Sequence, residues 1–173
     1  SVEIEQELNY DQEVETESAN ENYQKLNPGQ KEAFDTIADS VEKQDGGLFF
    51  IGAPGGTGKT FLISTLLSHV RGKGDIAVAM ATSGIAATLL PGGGTVHTKM
   101  KVPIDINEKT MCNFADNSPT ADLVKKAKLM IIDEATLGSK LLYECLDRTF
   151  REHRKCDMEF GGITMVFCGD WRQ

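Results

Sequence analysis

The feature that most constrains the fold is a glycine-rich segment that lies between an apolar run and a helical pattern. The apolar run is Leu48-Phe49-Phe50-Ile51, and the segment after it is Gly52-Ala53-Pro54-Gly55-Gly56-Thr57-Gly58-Lys59-Thr60. Glycine lets backbone N–H groups approach a ligand closely, and the first turn of a helix favours negative charge. A strand, such a loop and a helix in this order are typical of phosphate-binding loops. The segment therefore predicts a strand–loop–helix unit that binds the phosphates of a nucleotide.

Residue types within the loop predict separate roles in binding ATP and Mg²⁺. Lys59 would reach the β- and γ-phosphates, and the Thr60 hydroxyl would bind the metal ion. Ala53 stands where the strict pattern begins with glycine, and a small residue is sufficient there. The residues expected to bind the nucleotide are Gly55, Gly56, Thr57, Gly58, Lys59 and Thr60. The alternative is a glycine-rich turn with an incidental lysine.

A second apolar run ends in two acidic residues. Leu129-Met130-Ile131-Ile132 predicts a buried strand, and Asp133 and Glu134 follow it directly. A phosphate-binding loop needs a carboxylate of this kind for its metal ion. We therefore expect Asp133 to hold Mg²⁺ through water and Glu134 to orient the attacking water. Taken alone, the pair would also fit two solvated acids at the end of a strand.

Buried strands alternate with helical patterns along most of the chain. The predicted strands are 48–51, 76–81, 129–132 and 163–168. Asn27 and Gln30 form a capping-box pattern at the start of the first predicted helix of the fold. A short helix is expected from Gly84 to about Leu90, and residues 95–120 are expected to be irregular. The alternation predicts an α/β fold with a parallel sheet covered by helices on both faces.

The net charge is concentrated at the amino-terminal end. The 173 residues carry a formal charge of −8, and residues 1–25 hold eight acids and one lysine, which is −7. Residues 26–173 are therefore nearly neutral and lack the broad basic surface of proteins that bind duplex DNA mainly through phosphates. Residues 1–25 show no apolar stripe, so we expect a flexible acidic leader that is dispensable for folding, with a weak helix as the alternative. The globular domain is expected to span residues 26–173.

Targeting and metal-binding patterns are weak in this sequence. No stretch approaches the ~18 consecutive apolar residues of a membrane helix, so we expect no membrane contact. The acidic amino-terminus has no apolar core typical of a signal peptide. The four cysteines, at positions 112, 145, 156 and 168, show no CxxC spacing, so a metal–cysteine site is not expected.

Taken together, the motifs resemble those of a helicase family. In chain order they are Leu26–Gln30, Gly52–Thr60, Ala81–Ala87, Gly94–His97, Asp133–Thr136, Phe160–Gly162 and Gly169–Gln173. The residues of these motifs and their order along the chain are similar to those of the petite-integration-frequency DNA helicases of superfamily one. Leu89–Gly93 and Asp147–Thr149 look closest to the branch found in Helitron transposons. The resemblance implies a RecA-like P-loop NTPase domain of an enzyme that couples ATP hydrolysis to 5′-to-3′ DNA unwinding, in repair, recombination, telomere maintenance or transposition.

The resemblance also assigns roles by position. Gln30 matches a glutamine that contacts adenine, and Gln173 matches a sensor of the γ-phosphate. The positions that match contacts with single-stranded DNA are Thr82, Ser83, Gly84, Thr95 and His97. Met100 stands where the family often has an aromatic residue, which argues against base stacking there, while Lys99 and Lys101 are candidates for phosphate contacts. The alternative for each is a structural role, as a helix cap or a packed or solvated side chain.

Members of this family continue with a second motor domain that supplies an arginine to the ATP site. The chain ends at Gln173, so that domain is expected to be missing and the chain alone to be poorly active. The resemblance places the protein in the nucleus or another intracellular compartment that contains DNA. Two other classes stay open: a P-loop kinase or NTPase of another class, and a non-catalytic module that binds nucleotide.

Overall fold

A central parallel sheet organises the chain. The structure is a computed structural model that describes residues 1–52, 57–136 and 139–169. Within those ranges the sheet has five strands: β1 (Leu48–Gly52), β2 (Ile76–Ala81), β3 (Gly94–Thr95), β4 (Ala127–Asp133) and β5 (Thr164–Gly169). Their order across the sheet is β1-β5-β4-β2-β3, and all neighbours are parallel. The predicted α/β class with a parallel sheet is confirmed.

Helices cover both faces of the sheet. They are α1 (Val2–Leu8), α2 (Gln12–Lys25), α3 (Pro28–Lys43), α4 (Thr57–Gly72), α5 (Gly84–Ala87), α6 (Val96–Met100), α7 (Pro119–Lys126) and α8 (Lys140–Arg154), with a short 3-10 helix at Glu159–Gly162. One buried cluster joins the sheet to α3 and α4 through residues such as Ile37 and Leu66. The opposite cluster joins it to α1, α6, α7 and α8 through residues such as Ile4, Val96 and Leu146. Across the described part of the chain, no helix combines the length and apolar character needed to span a bilayer.

The element boundaries follow the sequence prediction with a few differences. The capping box of α3 forms: Asn27 Oδ1 accepts from Gln30 N at 2.8 Å, and Gln30 Oε1 accepts from Asn27 N at 2.9 Å. β2 has the predicted bounds, but the helix expected from Gly84 to Leu90 ends at Ala87. Residues 95–120 are not irregular throughout, because they include α6 and the start of α7. β3 was not predicted, since two residues are too few to show a strand pattern.

Residues 1–25 fold into α1 and α2, which contradicts the expected flexible leader. Ser1 caps α1 by accepting a hydrogen bond from Ile4 N at 3.3 Å, and Asp11 caps α2 by accepting two from its first turn at 3.1 Å. Acidic side chains in both first turns interact favourably with the helix dipoles. Ile4 and Ala19 are 7% and 4% exposed. Ile4 joins the core on the side of α6–α8, and on α2 Tyr23 packs against Phe34 while Thr16 Oγ1 donates to Gly72 O at 3.1 Å, so both helices are attached to the rest of the fold.

A buried charge network attaches α1 to the rest of the fold. Glu7 lies 3.8 Å from Arg71 Nη2 and 3.4 Å from Lys99 Nζ. Arg71, near the end of α4, also donates to Pro91 O at 2.9 Å, and its guanidinium packs over the Tyr10 ring. The network therefore ties α1 to both α4 and α6.

Candidate nucleotide-binding and catalytic site

The carboxyl ends of the strands meet at one edge of the sheet, here called the carboxyl edge. The register pairs Gly52 with Gly169. It pairs Ala81 with Asp133 on one side and with Thr95 on the other. Ligands of open parallel sheets bind at this edge. The topology thus gathers the predicted site segments, which are far apart in the sequence.

Lys59 and Asp133 meet directly at the carboxyl edge. Lys59 lies in the first turn of α4, and its Nζ donates to Asp133 Oδ1 at 2.7 Å. The two side chains are 14% and 8% exposed, so water screens the pair only in part. A phosphate oxygen would offer Lys59 the same kind of charge-assisted hydrogen bond. The structure therefore brings together the residues predicted to contact phosphate and metal.

The donor groups around this pair fit Mg²⁺. Within the described residues, Asp133 accepts hydrogen bonds from Lys59 Nζ and from Glu134 N, and both use Oδ1. Neither of these two hydrogen bonds uses the second carboxylate oxygen. Thr60, next to Lys59 in the first turn of α4, would add a hydroxyl. Mg²⁺ takes oxygen ligands and keeps several waters, so one carboxylate and one hydroxyl are compatible with it.

Glu134 follows β4 in a left-handed backbone conformation. Its φ is 57°, a region that costs a non-glycine residue about 1–2 kcal/mol. Its side chain is exposed, and Oε2 accepts a hydrogen bond from Ser83 Oγ at 2.7 Å. Its carbonyl oxygen accepts one from Thr82 Oγ1 at 3.1 Å. The residue predicted to orient water is thus held by the turn that follows β2.

That turn, Thr82–Gly84, is here called the Thr-Ser-Gly turn. Thr82 N donates to Asp133 O at 3.2 Å and extends the pairing of β2 with β4. Ser83 Oγ accepts from Ala86 N at 3.3 Å, so Ser83 also caps α5. The family resemblance implies that this turn contacts DNA, which stays a prediction, and nothing in the sequence indicated its bonds to Glu134. No local pattern links side chains that are 51 positions apart.

Gln30 bridges α3 and the first turn of α4. Its Nε2 donates to Gly58 O at 3.0 Å, while its Oε1 accepts from Asn27 N. Gln30 therefore lies beside the segment predicted to bind phosphate and also caps α3. Its contact with adenine stays a prediction.

Part of the predicted nucleotide site lies outside the residues that the structure describes. Those residues are Gly55, Gly56 and Gln173, together with the side chain of Thr57. Gly58 and Thr60 lie beside Lys59 in the first turn of α4. The ligand contacts of all these residues stay predictions.

The second segment predicted to contact DNA lies at the end of β3. Thr95 caps α6 by accepting a hydrogen bond from Thr98 N at 3.2 Å. His97 is exposed on α6. Met100 is fully buried, so its side chain packs in the core and cannot stack on a base. Thr95 ends β3 and His97 follows it on α6. Both residues thus lie at the carboxyl edge, one strand away from the Thr-Ser-Gly turn.

Two lysines near this segment differ in their surroundings. Lys99 Nζ donates to Gly92 O at 2.8 Å and lies 3.4 Å from Glu7 Oε1. Lys101 is exposed and ends α6 in a left-handed conformation. Because Lys99 is engaged within the protein, Lys101 is the candidate for a phosphate contact that the structure favours.

The ends of β4 and β5 are in direct contact beneath the site, which the sequence did not indicate. Ala135 N donates to Cys168 O at 2.8 Å, and a Cβ placed on Gly169 would overlap the Ala135 carbonyl oxygen. Burial raises the pKa of the Cys168 thiol to about 12, and the nearby charge of Asp133 acts in the same direction. In the described ranges, no three histidine, cysteine or acidic side chains form a group suited to a metal ion.

The fold and the carboxyl edge together define a phosphate-loop nucleotide-binding domain of the α/β class. The family comes from a further match: residues 25–173 fit the family model described as PIF1-like helicase, and the chain belongs to that family. The resemblance drawn from the order of the motifs is confirmed. The match includes the last residue of α2 and leaves α1 outside.

Named relatives agree with this assignment. ATP-dependent DNA helicase PIF1 of Trypanosoma brucei brucei is 34% identical over 134 residues, which are 74% of this chain and 13% of that protein. ATP-dependent DNA helicase RRM3 of Saccharomyces cerevisiae is 33% identical over 144 residues, which are 79% of this chain and 19% of that protein. The chain therefore spans only a small part of the length of these relatives.

Solved structures give the same fold. Bacteroides Pif1 bound to single-stranded DNA is 27% identical with a TM-score of 0.68, and the match covers 84% of this chain and 32% of that one. Pif1 from Bacteroides sp in complex with ADP-AlF4 is 26% identical with a TM-score of 0.64, covering 81% and 32%. The predicted RecA-like architecture is confirmed.

Proposed function

We propose that residues 26–173 form the ATP-binding half of an ATP-dependent DNA helicase that unwinds DNA in the 5′-to-3′ direction. The observation that carries the proposal is the 2.7 Å contact between Lys59 and Asp133 in a chain of the PIF1-like helicase family. The relatives named above are ATP-dependent DNA helicases, and related structures contain single-stranded DNA or ADP-AlF4. ATP, Mg²⁺ and single-stranded DNA are accordingly the proposed ligands.

The proposed chemistry begins with an exchange of partners at Lys59. Lys59 leaves Asp133 for the phosphates of ATP, so that one charge-assisted hydrogen bond replaces another. Asp133, through water, and the Thr60 hydroxyl would hold Mg²⁺, and the metal ion would neutralise charge on the phosphate oxygens. Glu134 orients the attacking water, and Gln173 detects the γ-phosphate. The carboxyl edge supplies the described members of this set from α4 and β4.

Single-stranded DNA is proposed to run along the same edge. The Thr-Ser-Gly turn, Thr95 and His97 would contact its backbone, since small hydroxyl side chains suit contacts that ignore base sequence. A second motor domain in a longer protein would supply an arginine to the ATP, a group that contributes ~10³–10⁵ in rate in other phosphoryl-transfer enzymes. We assign the enzyme to DNA repair, recombination, telomere maintenance or transposition, in the nucleus or another compartment that contains DNA.

The test compares residues 1–173 with a chain extended beyond Gln173, in steady-state ATPase and strand-separation assays. We expect the short chain to bind MgATP and single strands weakly, to hydrolyse little ATP and to unwind nothing. The extended chain should unwind duplexes with a 5′ overhang and leave those with a 3′ overhang intact. Robust unwinding by the short chain would contradict the half-motor proposal. Inactivity of both chains would favour a non-catalytic nucleotide-binding module, while membership in the helicase family already argues against a P-loop kinase.

A further inference from the structure

A single hydrogen bond joins the segment proposed to bind DNA to the residue proposed to orient water. Ser83 Oγ donates to Glu134 Oε2 at 2.7 Å, between the turn after β2 and the residue after β4. Ser83 is half-buried, whereas Glu134 and Gly84 are exposed, and a methyl group added to Gly84 would face open space. A strand at the carboxyl edge can therefore reach the Ser83 hydroxyl.

The chemistry of the hydroxyl group makes two contacts of Ser83 mutually exclusive. A serine hydroxyl has one hydrogen to donate, whereas a carboxylate and a phosphodiester only accept hydrogen bonds. In the structure that hydrogen is donated to Glu134, and the oxygen already accepts from Ala86 N at 3.3 Å. Ser83 can therefore donate to Glu134 or to a DNA phosphate, and binding of one acceptor must release the other.

We propose that Ser83 is a positioning residue that holds Glu134 while no strand is bound and releases it when a DNA phosphate takes its hydrogen. The inference rests on the proposed function, because it needs a strand at the Thr-Ser-Gly turn and a water-orienting role for Glu134. Release frees Oε2, which then accepts a hydrogen bond from the attacking water. Thr82 adds to the coupling, because its hydroxyl group donates a hydrogen bond to the Glu134 carbonyl oxygen at 3.1 Å. Strand binding thereby promotes ATP hydrolysis.

Binding measurements on residues 1–173 test this coupling without any hydrolysis. The affinity for fluorescein-labelled oligo(dT) is measured for the parent chain, Ser83→Ala, Glu134→Ala and the double variant. Glu134→Ala removes the competing acceptor, so it should raise the oligo(dT) affinity about fivefold or more, as expected for a hydrogen bond to a charged group. In the Ser83→Ala background the same change removes only a screened charge and should raise the affinity about twofold or less.

Two further variants distinguish an effect of the Ser83 hydroxyl group from an effect of a changed fold. Ser118→Ala is the matched control, because Ser118 caps α7 by accepting from Ala121 N much as Ser83 caps α5. It should leave the response to Glu134→Ala at about fivefold. Ser83→Thr keeps a hydroxyl and should keep that response too. Melting curves establish that each variant is folded.

The outcomes distinguish this inference from the proposed function. Equal responses to Glu134→Ala in the Ser83 and Ser83→Ala backgrounds would overturn the inference and leave the DNA contact in place. A folded parent chain that does not bind oligo(dT) would contradict the proposed function, and the inference with it. In an extended chain that hydrolyses ATP, Ser83→Ala should raise the rate without DNA and lower the stimulation by oligo(dT) about threefold or more; unchanged stimulation would count against Ser83 as the coupling residue.

Discussion

Two ion pairs lie at opposite ends of α4 and differ in what surrounds them. In the first turn Lys59 contacts Asp133 at 2.7 Å, and the two side chains are 14% and 8% exposed. Near the last turn Arg71 lies 3.8 Å from Glu7, and these side chains are 1% and 9% exposed. At 1.5 Å per residue the two basic residues are about 18 Å apart along the helix.

The difference lies in how readily each basic side chain can change partner. Arg71 also donates to the carbonyl oxygens of Pro91 and Ala77 and packs over Tyr10, so one incoming ligand cannot replace its contacts. Removing one member of such a buried pair costs about 3–5 kcal/mol, because it leaves an uncompensated charge. Lys59 donates to Asp133 at the carboxyl edge, where we propose that a phosphate replaces the carboxylate. The first pair is therefore suited to exchange and the second to permanent attachment of α1.

The largest effect is expected on ATP hydrolysis, from Glu134→Gln, next to the Lys59–Asp133 pair. The amide keeps the shape of the side chain but cannot act as a base toward water, so ATP hydrolysis by a chain extended beyond Gln173 should fall about 10²-fold or more. ATP should still bind. Steady-state ATPase and fluorescent-nucleotide titration measure the two quantities, with Glu108→Gln, an exposed site, as control. Near-normal hydrolysis would place the water-orienting group elsewhere.

Lys59→Ala tests whether Lys59 exchanges Asp133 for the phosphates of ATP. The substitution removes a charge-assisted hydrogen bond to phosphate, so MgATP should bind at least about tenfold more weakly. Fluorescent-nucleotide titration of residues 1–173 measures this, and Lys126→Ala, at an exposed lysine on α7, should leave the affinity unchanged. Equal affinities for parent and Lys59→Ala would contradict the role of Lys59 at phosphate.

Glu7→Gln tests the ion pair between Glu7 and Arg71, which attaches α1 near the last turn of α4. The variant leaves the buried charges of Arg71 and Lys99 without their carboxylate, so the melting temperature should fall by about 6 °C or more. The MgATP affinity should stay within about twofold, because the carboxyl edge keeps its contacts. Glu5→Gln, an exposed carboxylate on the same helix, is the matched control. A melting temperature equal to that of the control would show that the Glu7 carboxylate does not contribute to the attachment of α1.

The smallest effect is expected on the pH dependence of stability, from Cys168, which lies beneath the Lys59–Asp133 pair. Burial raises the pKa of its thiol to about 12, so the folded thiol stays neutral over a pH range in which the unfolded thiol ionises. This contribution to stability is complete below about pH 9 and is lost as the pH rises toward 12. The melting temperature should therefore fall less steeply between pH 8 and pH 10.5 in Cys168→Ala than in the parent. Parallel pH profiles would show that water reaches this thiol.

The contact between Lys59 and Asp133 was predictable because each of the two residues has a local signal. Lys59 stands in a loop pattern after an apolar strand, and Asp133 ends another apolar strand. The two are 74 positions apart, but a parallel sheet brings its strand ends to one edge whatever their separation. Predicting the strands was therefore sufficient to predict that these side chains meet.

Contacts that arise only from tertiary packing had no such signal. Glu7 is one of eight acids in residues 1–25, and its neighbours in the sequence do not mark it as the buried one. The bond between Ser83 and Glu134 joins residues 51 positions apart, and Glu134 has a left-handed backbone that a glutamate rarely adopts. The amino-terminal helices were missed because scattered contacts, such as the ion pairs of Glu7 and the packing of Tyr23 on Phe34, hold them in place rather than an apolar stripe.

The contact between the ends of β4 and β5 limits how the sequence can vary. Any side chain at position 169 would place a carbon on the carbonyl oxygen of Ala135, and a backbone atom of a residue that is hydrogen-bonded to Cys168 O cannot swing aside as a long side chain can. Gly84 is also a glycine at the carboxyl edge, yet added atoms there meet open space. Position 84 therefore has room for a side chain and position 169 has none, so packing within the domain requires glycine where the two strand ends touch but not at the Thr-Ser-Gly turn.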